Sequence, residues 1–145
     1  MQPTARSSGP RARLHSARSS ARSASASFHD RRAALVAANH RLVDLGYVRY
    51  NPVHPGARRD LFPELVDGHA PLYNFKSMVG WVPPAAFAKL GVDPKLWLPE
   101  APDYYRYALS RSAIHGLLFS VRRPHELDEL ATALELGGLD RKSVV

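Results

Sequence analysis

A chain of 145 residues has room for one modest domain but not for a complete eight-stranded α/β barrel, which usually needs roughly 250 residues. The formal net charge is +7, of which residues 1–28 supply +5 through five arginines and no acidic residue, so the remainder is not expected to be a basic nucleic-acid-binding surface. The chain contains no cysteine, which excludes disulfides and thiolate metal sites, and no run of about eighteen apolar residues that could span a bilayer.

The first 27 residues are rich in arginine, serine and alanine and contain a single leucine. So little apolar surface does not offset the entropy lost on ordering a chain, and a disordered tail is therefore predicted over 1–27. The same acid-free composition is typical of an organellar transit peptide, and a wrongly assigned gene start is the alternative interpretation. Nucleic-acid binding by the tail is less favoured, because it has no aromatic residues to stack on bases.

Helices and strands are predicted to alternate after the tail. Asp30 is a suitable N-cap for an alanine-rich helix of about three turns. A short strand is predicted at 47–50, followed by a turn at 51–56 that is rich in proline and glycine. One helical turn is expected at 60–65 and another short strand at 71–76.

The second half is predicted to contain a long loop, two helices and a buried strand. Prolines and both tryptophans at 78–101 predict a loop with one short helix at 84–90. A helix at 103–110, an apolar strand at 114–120 and a helix with Pro124 in its first turn are expected to follow. The apolar residues of this last helix recur at helical spacing and are expected to face the core: Leu127, Leu130, Ala131 and Leu134.

Strands separated by helices of about ten residues predict βαβ units and hence an α/β fold with a parallel sheet. Periodicity leaves a doubly wound sheet and a section of a barrel as alternatives. The common phosphate-loop, dinucleotide, hydrolase and zinc-protease motifs are absent from the sequence. The seven histidines have no metal-ligand spacing, so no metal site is predicted.

An anion-binding site is predicted between the strand at 114–120 and the last helix. Ser120, Arg122 and Arg123 lie there, immediately before the helix N-terminus. Free backbone N–H groups, the positive end of the helix dipole and two guanidinium groups are expected to converge on a phosphate. Glu126 in the first turn is interpreted as a carboxylate that complements the helix dipole.

Several stretches after the tail form a recognisable series. They are His29-Asp30-Arg31-Arg32, Val48-Arg49-Tyr50-Asn51, His54-Pro55-Gly56-Ala57, Asp60-Leu61-Phe62-Pro63, Tyr73-Asn74-Phe75-Lys76-Ser77 and the run 101–110. In order and spacing they resemble the C-terminal half of the aldo/keto reductase family. The resemblance implies about the last four strand-helix units of a (β/α)8 TIM barrel over 28–140, with 141–145 as a short tail.

The resemblance also implies NADP(H) as cofactor and the oxidoreduction of a small carbonyl or alcohol substrate as the parent activity. In the family, the closing loop and helix hold the adenosine phosphate end, and an aromatic residue stacks on the nicotinamide. By position, the aromatic residue is Tyr73, and the closing loop and helix contribute Ser120, Arg122, Arg123 and Glu126. Glu126 stands where the family often has Gln, and Leu130 stands where it often has Asn.

No catalytic residue is predicted. The Tyr, Lys, His and Asp that perform the chemistry in this family belong to the N-terminal half of the barrel, which the 145 residues do not include. The chain is therefore expected to be a fragment or truncated family member that is inactive alone. The alternative is a non-enzymatic basic protein that binds anionic partners through its tail.

A half barrel leaves two sheet edges and its inner face uncovered. The expected partners are therefore a separate N-terminal half of the barrel or a second copy of the chain. The lack of cysteine is typical of intracellular proteins, and the cytoplasm is the expected compartment, with an organelle as the alternative if the tail is a transit peptide.

Overall fold

The computed structural model describes residues 24–139, so the predictions made for 1–23 and 140–145 lie outside the described residues. Four parallel strands form one sheet in the order of the chain. They are β1 (Ser25–Phe28), β2 (Leu45–Arg49), β3 (Leu72–Phe75) and β4 (Ile114–Leu118). The helices are α1 (Arg31–Asn39), α2 (Ala57–Asp60), α3 (Pro84–Lys89), α4 (Ala101–Leu109) and α5 (His125–Leu136). The predicted α/β class with a parallel sheet is confirmed.

Strand β1 begins before the predicted start of the folded part at residue 28. Residues 25–27 were expected to belong to the disordered tail, but they pair in register with 45–47 of β2. The backbone N–H of Ala24 also donates to the Asp44 carboxylate at 2.6 Å. Serine and alanine have weak β propensity, so composition alone misses a strand whose order comes from pairing with its neighbour.

Helix α1 begins where its cap was predicted. The Asp30 side chain accepts hydrogen bonds from the backbone N–H groups of Arg32 at 2.8 Å and Ala33 at 3.4 Å. These are two of the donors that a helix N-terminus leaves without an intrahelical partner. Three alanines of the helix, Ala34, Ala37 and Ala38, are buried, and their small side chains allow α1 to lie close to the sheet.

The core lies on one face of the sheet. Val48, Leu72 and Ile114 from three strands pack against alanines of α1 and α4. The opposite face carries a row of paired positions, none of which is buried: Ser27, Tyr47, Tyr73 and Gly116. Helix α5 packs on α4 and reaches the core through Leu130 and Ala133, which contact Tyr105. The described sheet is therefore covered by helices on one side.

The predicted burial of β4 and α5 is partly wrong. Only Ile114 of β4 is buried, because β4 is the edge strand of the described sheet. Of the four apolar residues expected to face the core from α5, only Leu130 is buried. Leu127 is 51% exposed and Leu134 is 60% exposed, because the helix contacts α4 along a line through Leu130 and Ala133.

The helical turn predicted at 60–65 is present as a 3-10 turn at Phe62–Glu64. The short helix α2, which ends at Asp60 just before it, was not predicted. The Asp60 carboxylate is held by two arginines, Arg59 and Arg31, with the Arg31 guanidinium at 2.7 Å. This ion pair connects α1 to α2.

The ion pair makes the stability of the fold depend on acidity. The Arg59 hydrogen bond, assisted by Arg31, lowers the pKa of Asp60 from 3.8 to about 2. Since the folded-state pKa is depressed, the stabilisation is present above pH 4 and is lost as the pH falls toward 2. The Asp60→Asn variant should lose this part of the pH dependence of Tm, measured by circular dichroism. Glu64→Gln, a nearby exposed carboxylate outside the ion pair, should keep it, and identical profiles for Asp60→Asn and wild type would contradict the prediction.

Candidate functional site

A cleft of about 800 Å³ opens at the carboxyl ends of β3 and β4. One wall is the segment 75–79 that follows β3, and the other is the segment 118–123 that follows β4. The start of α5, Tyr105 of α4, Trp81 and Pro83 complete the lining. The carboxyl ends of parallel strands are the usual place for ligands in α/β folds, since loops and helix N-termini converge there.

Four of the five predicted cofactor-binding residues line this cleft: Ser120, Arg122, Arg123 and Glu126. They come together because β4 ends at Leu118 and α5 begins at His125, so a short loop must turn directly over the sheet edge. The grouping of these residues at one site was predictable, since they are neighbours along the chain.

The fifth residue, Tyr73, lies outside the cleft. Its ring sits in the middle of β3, with its centroid 6.4 Å from that of Tyr47. It covers Gly116 on β4, where a Cβ atom would come within 2.5 Å of the tyrosine Cε1. Phe75, two residues further along the same strand, is the aromatic residue of β3 that lines the cleft.

The backbone N–H groups of the closing loop were predicted to be free, but two of them are occupied. The Glu126 carboxylate accepts hydrogen bonds from the N–H of Arg122 at 2.7 Å and of Arg123 at 3.4 Å. The bond from Arg122 is the main reason that the pKa of Glu126 lies below its usual value. Glu126 therefore occupies the position on these donors that an external anion was expected to take.

The guanidinium groups of Arg122 and Arg123 remain available to a ligand. Neither forms a salt bridge with an acidic residue within the described part of the chain. Lys76 lies on the opposite wall, and its ammonium group is 5.5 Å from the centroid of the Phe75 ring. The cleft thus has cationic side chains on both walls, with Glu126 and Glu129 as its acidic residues.

A buried polar network fixes the wall that carries Lys76. The side-chain oxygen of Asn74 accepts from the Tyr50 backbone N–H at 2.7 Å, and its amide nitrogen donates to the Ser77 hydroxyl at 2.7 Å. Asn51 donates to the Lys76 carbonyl oxygen at 2.9 Å. Both asparagines are completely buried. The network ties the ends of β2 and β3 together directly beneath the cleft.

Lys76 has a backbone conformation that side-chain-bearing residues seldom adopt, with φ of +58°. Such a conformation persists only where the surroundings enforce it, and here the bonds at Lys76 and its neighbour Ser77 do so. Asn51 and Asn74 had been assigned to a turn and a strand without a role. The signals in the sequence were their positions immediately after or within predicted strands and their place in two of the stretches that resemble the family.

The indole Nε1 of Trp81, another lining residue, is buried without a hydrogen-bond partner in the described structure. Among residues 24–139, no three histidine or acidic side chains are grouped so that they could hold a metal ion. No helix in the same range is long and apolar enough to cross a membrane.

Comparisons with protein-family models, with curated proteins and with solved structures found no match to this chain.

Proposed function

We propose that the chain is the C-terminal section of a (β/α)8 barrel of the aldo/keto reductase type, and that its cleft binds the phosphate-bearing end of NADP(H). One observation carries the proposal. The closing-loop and helix residues that the family resemblance assigns to this cofactor, Ser120, Arg122, Arg123 and Glu126, line one cleft together with the residues that follow β3.

The topology of the sheet supports the barrel part of the proposal. A doubly wound sheet reverses its strand order at a switch point and carries helices on both faces. Here the four strands follow the chain order without reversal, and the core formed with α1 and α4 lies on one face. Sequential parallel strands with helices on one side are the arrangement of a barrel wall.

The side chains of the cleft fit a phosphorylated cofactor. Arginine is the residue best suited to planar, bidentate recognition of phosphate, and two arginines are available beside the Ser120 hydroxyl. The Phe75 ring offers an apolar wall opposite them. NADP(H), when bound, supplies the hydride for reduction of a carbonyl group. The residues of this chain bind and orient the cofactor, and the proton-donating residues of the parent family belong to the other half of the barrel.

The test is a fluorescence titration of the purified chain with NADPH, compared with NADH. Trp81 lines the cleft, so saturable quenching of its emission is expected, with weaker binding of NADH, which lacks the additional phosphate. The Trp97→Phe variant removes the other tryptophan, which is 67% exposed and lies outside the cleft, and should leave the quenching unchanged. A folded chain without saturable quenching would overturn the proposal.

A deletion separates the cleft from the basic tail as the site of NADPH binding. The deletion must end before Ala24, whose N–H bonds to Asp44 and leads into β1. Removing residues 1–22 removes the five arginines of the tail but keeps the sheet. NADPH binding that survives the deletion would support the cleft, whereas loss of binding with an unchanged fold would favour an anion-binding tail.

The internal carboxylate at Glu126 is expected to weaken cofactor binding. It places a negative charge on the N–H groups of Arg122 and Arg123, beside the proposed phosphate position. Glu126→Gln keeps the length and hydrogen-bonding capacity of the side chain but removes the charge. NADPH should bind roughly fivefold more tightly to this variant, because a repulsion is lost in a partly solvated cleft. Asp128→Asn, a change on the exposed side of α5, should leave the affinity unchanged, and weaker binding to Glu126→Gln would contradict the prediction.

A further inference from the structure

The described sheet has an uncovered face and two edges without a pairing strand. No described strand pairs with the outer edge of β1 or of β4. The face opposite the helices carries Ser27, Tyr47 and Tyr73, none of which is buried. Parallel sheets are normally covered on both faces, because their connections and neighbours exclude water from each side. This surface therefore requires a partner.

Helix α5, which follows the edge strand β4 and packs on α4, presents an apolar surface on its other side. Leu127, Ala131 and Leu134 lie along one side of the helix at spacings of four and three residues, and all three are exposed. At the other edge of the sheet, α1 exposes Ala33 and Val36, which is 47% exposed. At each edge the sheet thus has a strand with one unpaired side, and the helix that follows this strand exposes apolar side chains.

We propose that a second copy of this chain covers these surfaces, so that two four-stranded sheets close into one eight-stranded barrel. Eight parallel strands are the number at which a barrel closes around a core filled by side chains. A twofold axis parallel to the strands keeps every strand parallel and places β4 of each copy beside β1 of the other. The inference rests on the barrel interpretation of the sheet given above.

The charges of the two helices support this occupant. Helix α5 contains four acidic residues and no lysine or arginine. Helix α1 contains no acidic residue, and since Arg31 is paired with Asp60, Arg32 is the arginine of α1 that is left to face a partner. In the closed ring, α5 of one copy lies beside α1 of the other, so acidic and basic helices become neighbours. A contact of α5 with α5, or of α1 with α1, would bring like charges together, which is unfavourable.

The first measurement is the mass of the full chain by sedimentation equilibrium. A value of twice 16.1 kDa is expected, and a monomer that melts cooperatively would overturn the proposal. Arg32→Glu should raise the dissociation constant of the dimer roughly tenfold through repulsion from α5, and Asp128→Arg in the same chain should restore it. Both side chains are exposed, so that neither change disturbs the core.

Cross-linking then distinguishes this dimer from any other. Because the chain has no cysteine, a pair of cysteines introduced at positions 32 and 128 can be joined by a short bismaleimide without background. The double variant Arg32→Cys with Asp128→Cys should form covalent dimers, while neither single variant should. Within one copy α1 and α5 follow the two opposite edge strands, β1 and β4, which are roughly 14 Å apart across three strand spacings, so a short linker is expected to join positions 32 and 128 only between copies.

Dimers formed by a single-cysteine variant would mean a contact between like helices and would overturn the closed barrel. The NADPH titration is independent of this result, since it reports on the cleft within each copy. A monomer that binds NADPH overturns only the dimer, and a dimer that does not bind NADPH overturns only the cofactor proposal.

Discussion

Replacing Asn74 by alanine is expected to lower the free energy of unfolding by about 3 kcal/mol. The side chain is completely buried and makes two hydrogen bonds, one from the Tyr50 N–H and one to the Ser77 hydroxyl. Its removal leaves both partners without a bond in a place that water does not reach, and adds a cavity. Denaturation by urea, followed by circular dichroism, measures the change.

Asn39→Ala is the matched control for this variant. Asn39 also makes two hydrogen bonds, to the Glu64 carbonyl and from the Val66 N–H, but it lies at the surface, where water replaces lost partners. Its removal should cost less than about 1 kcal/mol. Equal losses for the two variants would mean that the burial of Asn74 adds nothing to the stability that its two hydrogen bonds provide.

The second large effect is expected at the closing loop. The double variant Arg122→Ala with Arg123→Ala should weaken NADPH binding roughly thirtyfold, because two charged donors to phosphate are lost from a cleft that is partly open to solvent. NADH binding should change much less. The difference in NADPH affinity between the wild type and this variant should shrink as the salt concentration is raised, since exposed charges are screened over about 10 Å at 0.1 M ionic strength.

Lys89→Ala with Lys95→Ala provides a control of equal charge. Both lysines are exposed and neither lines the cleft. If this pair weakened NADPH binding as much as the arginine pair, the effect would be one of net charge and not of the proposed phosphate site. Unchanged NADPH affinity in the arginine variant would remove the basis for assigning the cofactor to this cleft.

Features that depend on neighbours along the chain were predictable from the sequence. The cap at Asp30 was one of them, since a cap requires only a side-chain oxygen two or three residues before free N–H groups. The grouping of Ser120, Arg122 and Arg123 was another, because the loop between β4 and α5 is short. The hydrogen bonds from this loop to Glu126 were not predicted, although a carboxylate in the first turn often accepts such bonds.

Features that depend on which strands and helices meet were not predictable in the same way. Which strands are neighbours decides that the loops after β3 and β4 form one cleft, and this cleft is lined by Phe75, at the end of β3, and not by Tyr73, in its middle. The position of α4 decides which side of α5 is buried, so the stripe through Leu127 and Leu134 was assigned to the core wrongly. The pairing of Ser25 with Leu45 depends likewise on β2.

The direction of β1 sets where the chain enters the sheet relative to the cleft. The chain enters the sheet at Ala24, at the amino end of the strands, whereas the cleft opens at their carboxyl ends. In (β/α)8 barrels, the amino end of the strands serves stability and the carboxyl end serves ligands. A fusion partner joined directly ahead of residue 24, in place of the preceding residues, is thus attached at the end of the sheet away from the cleft, and purification through it should leave ligand access unobstructed.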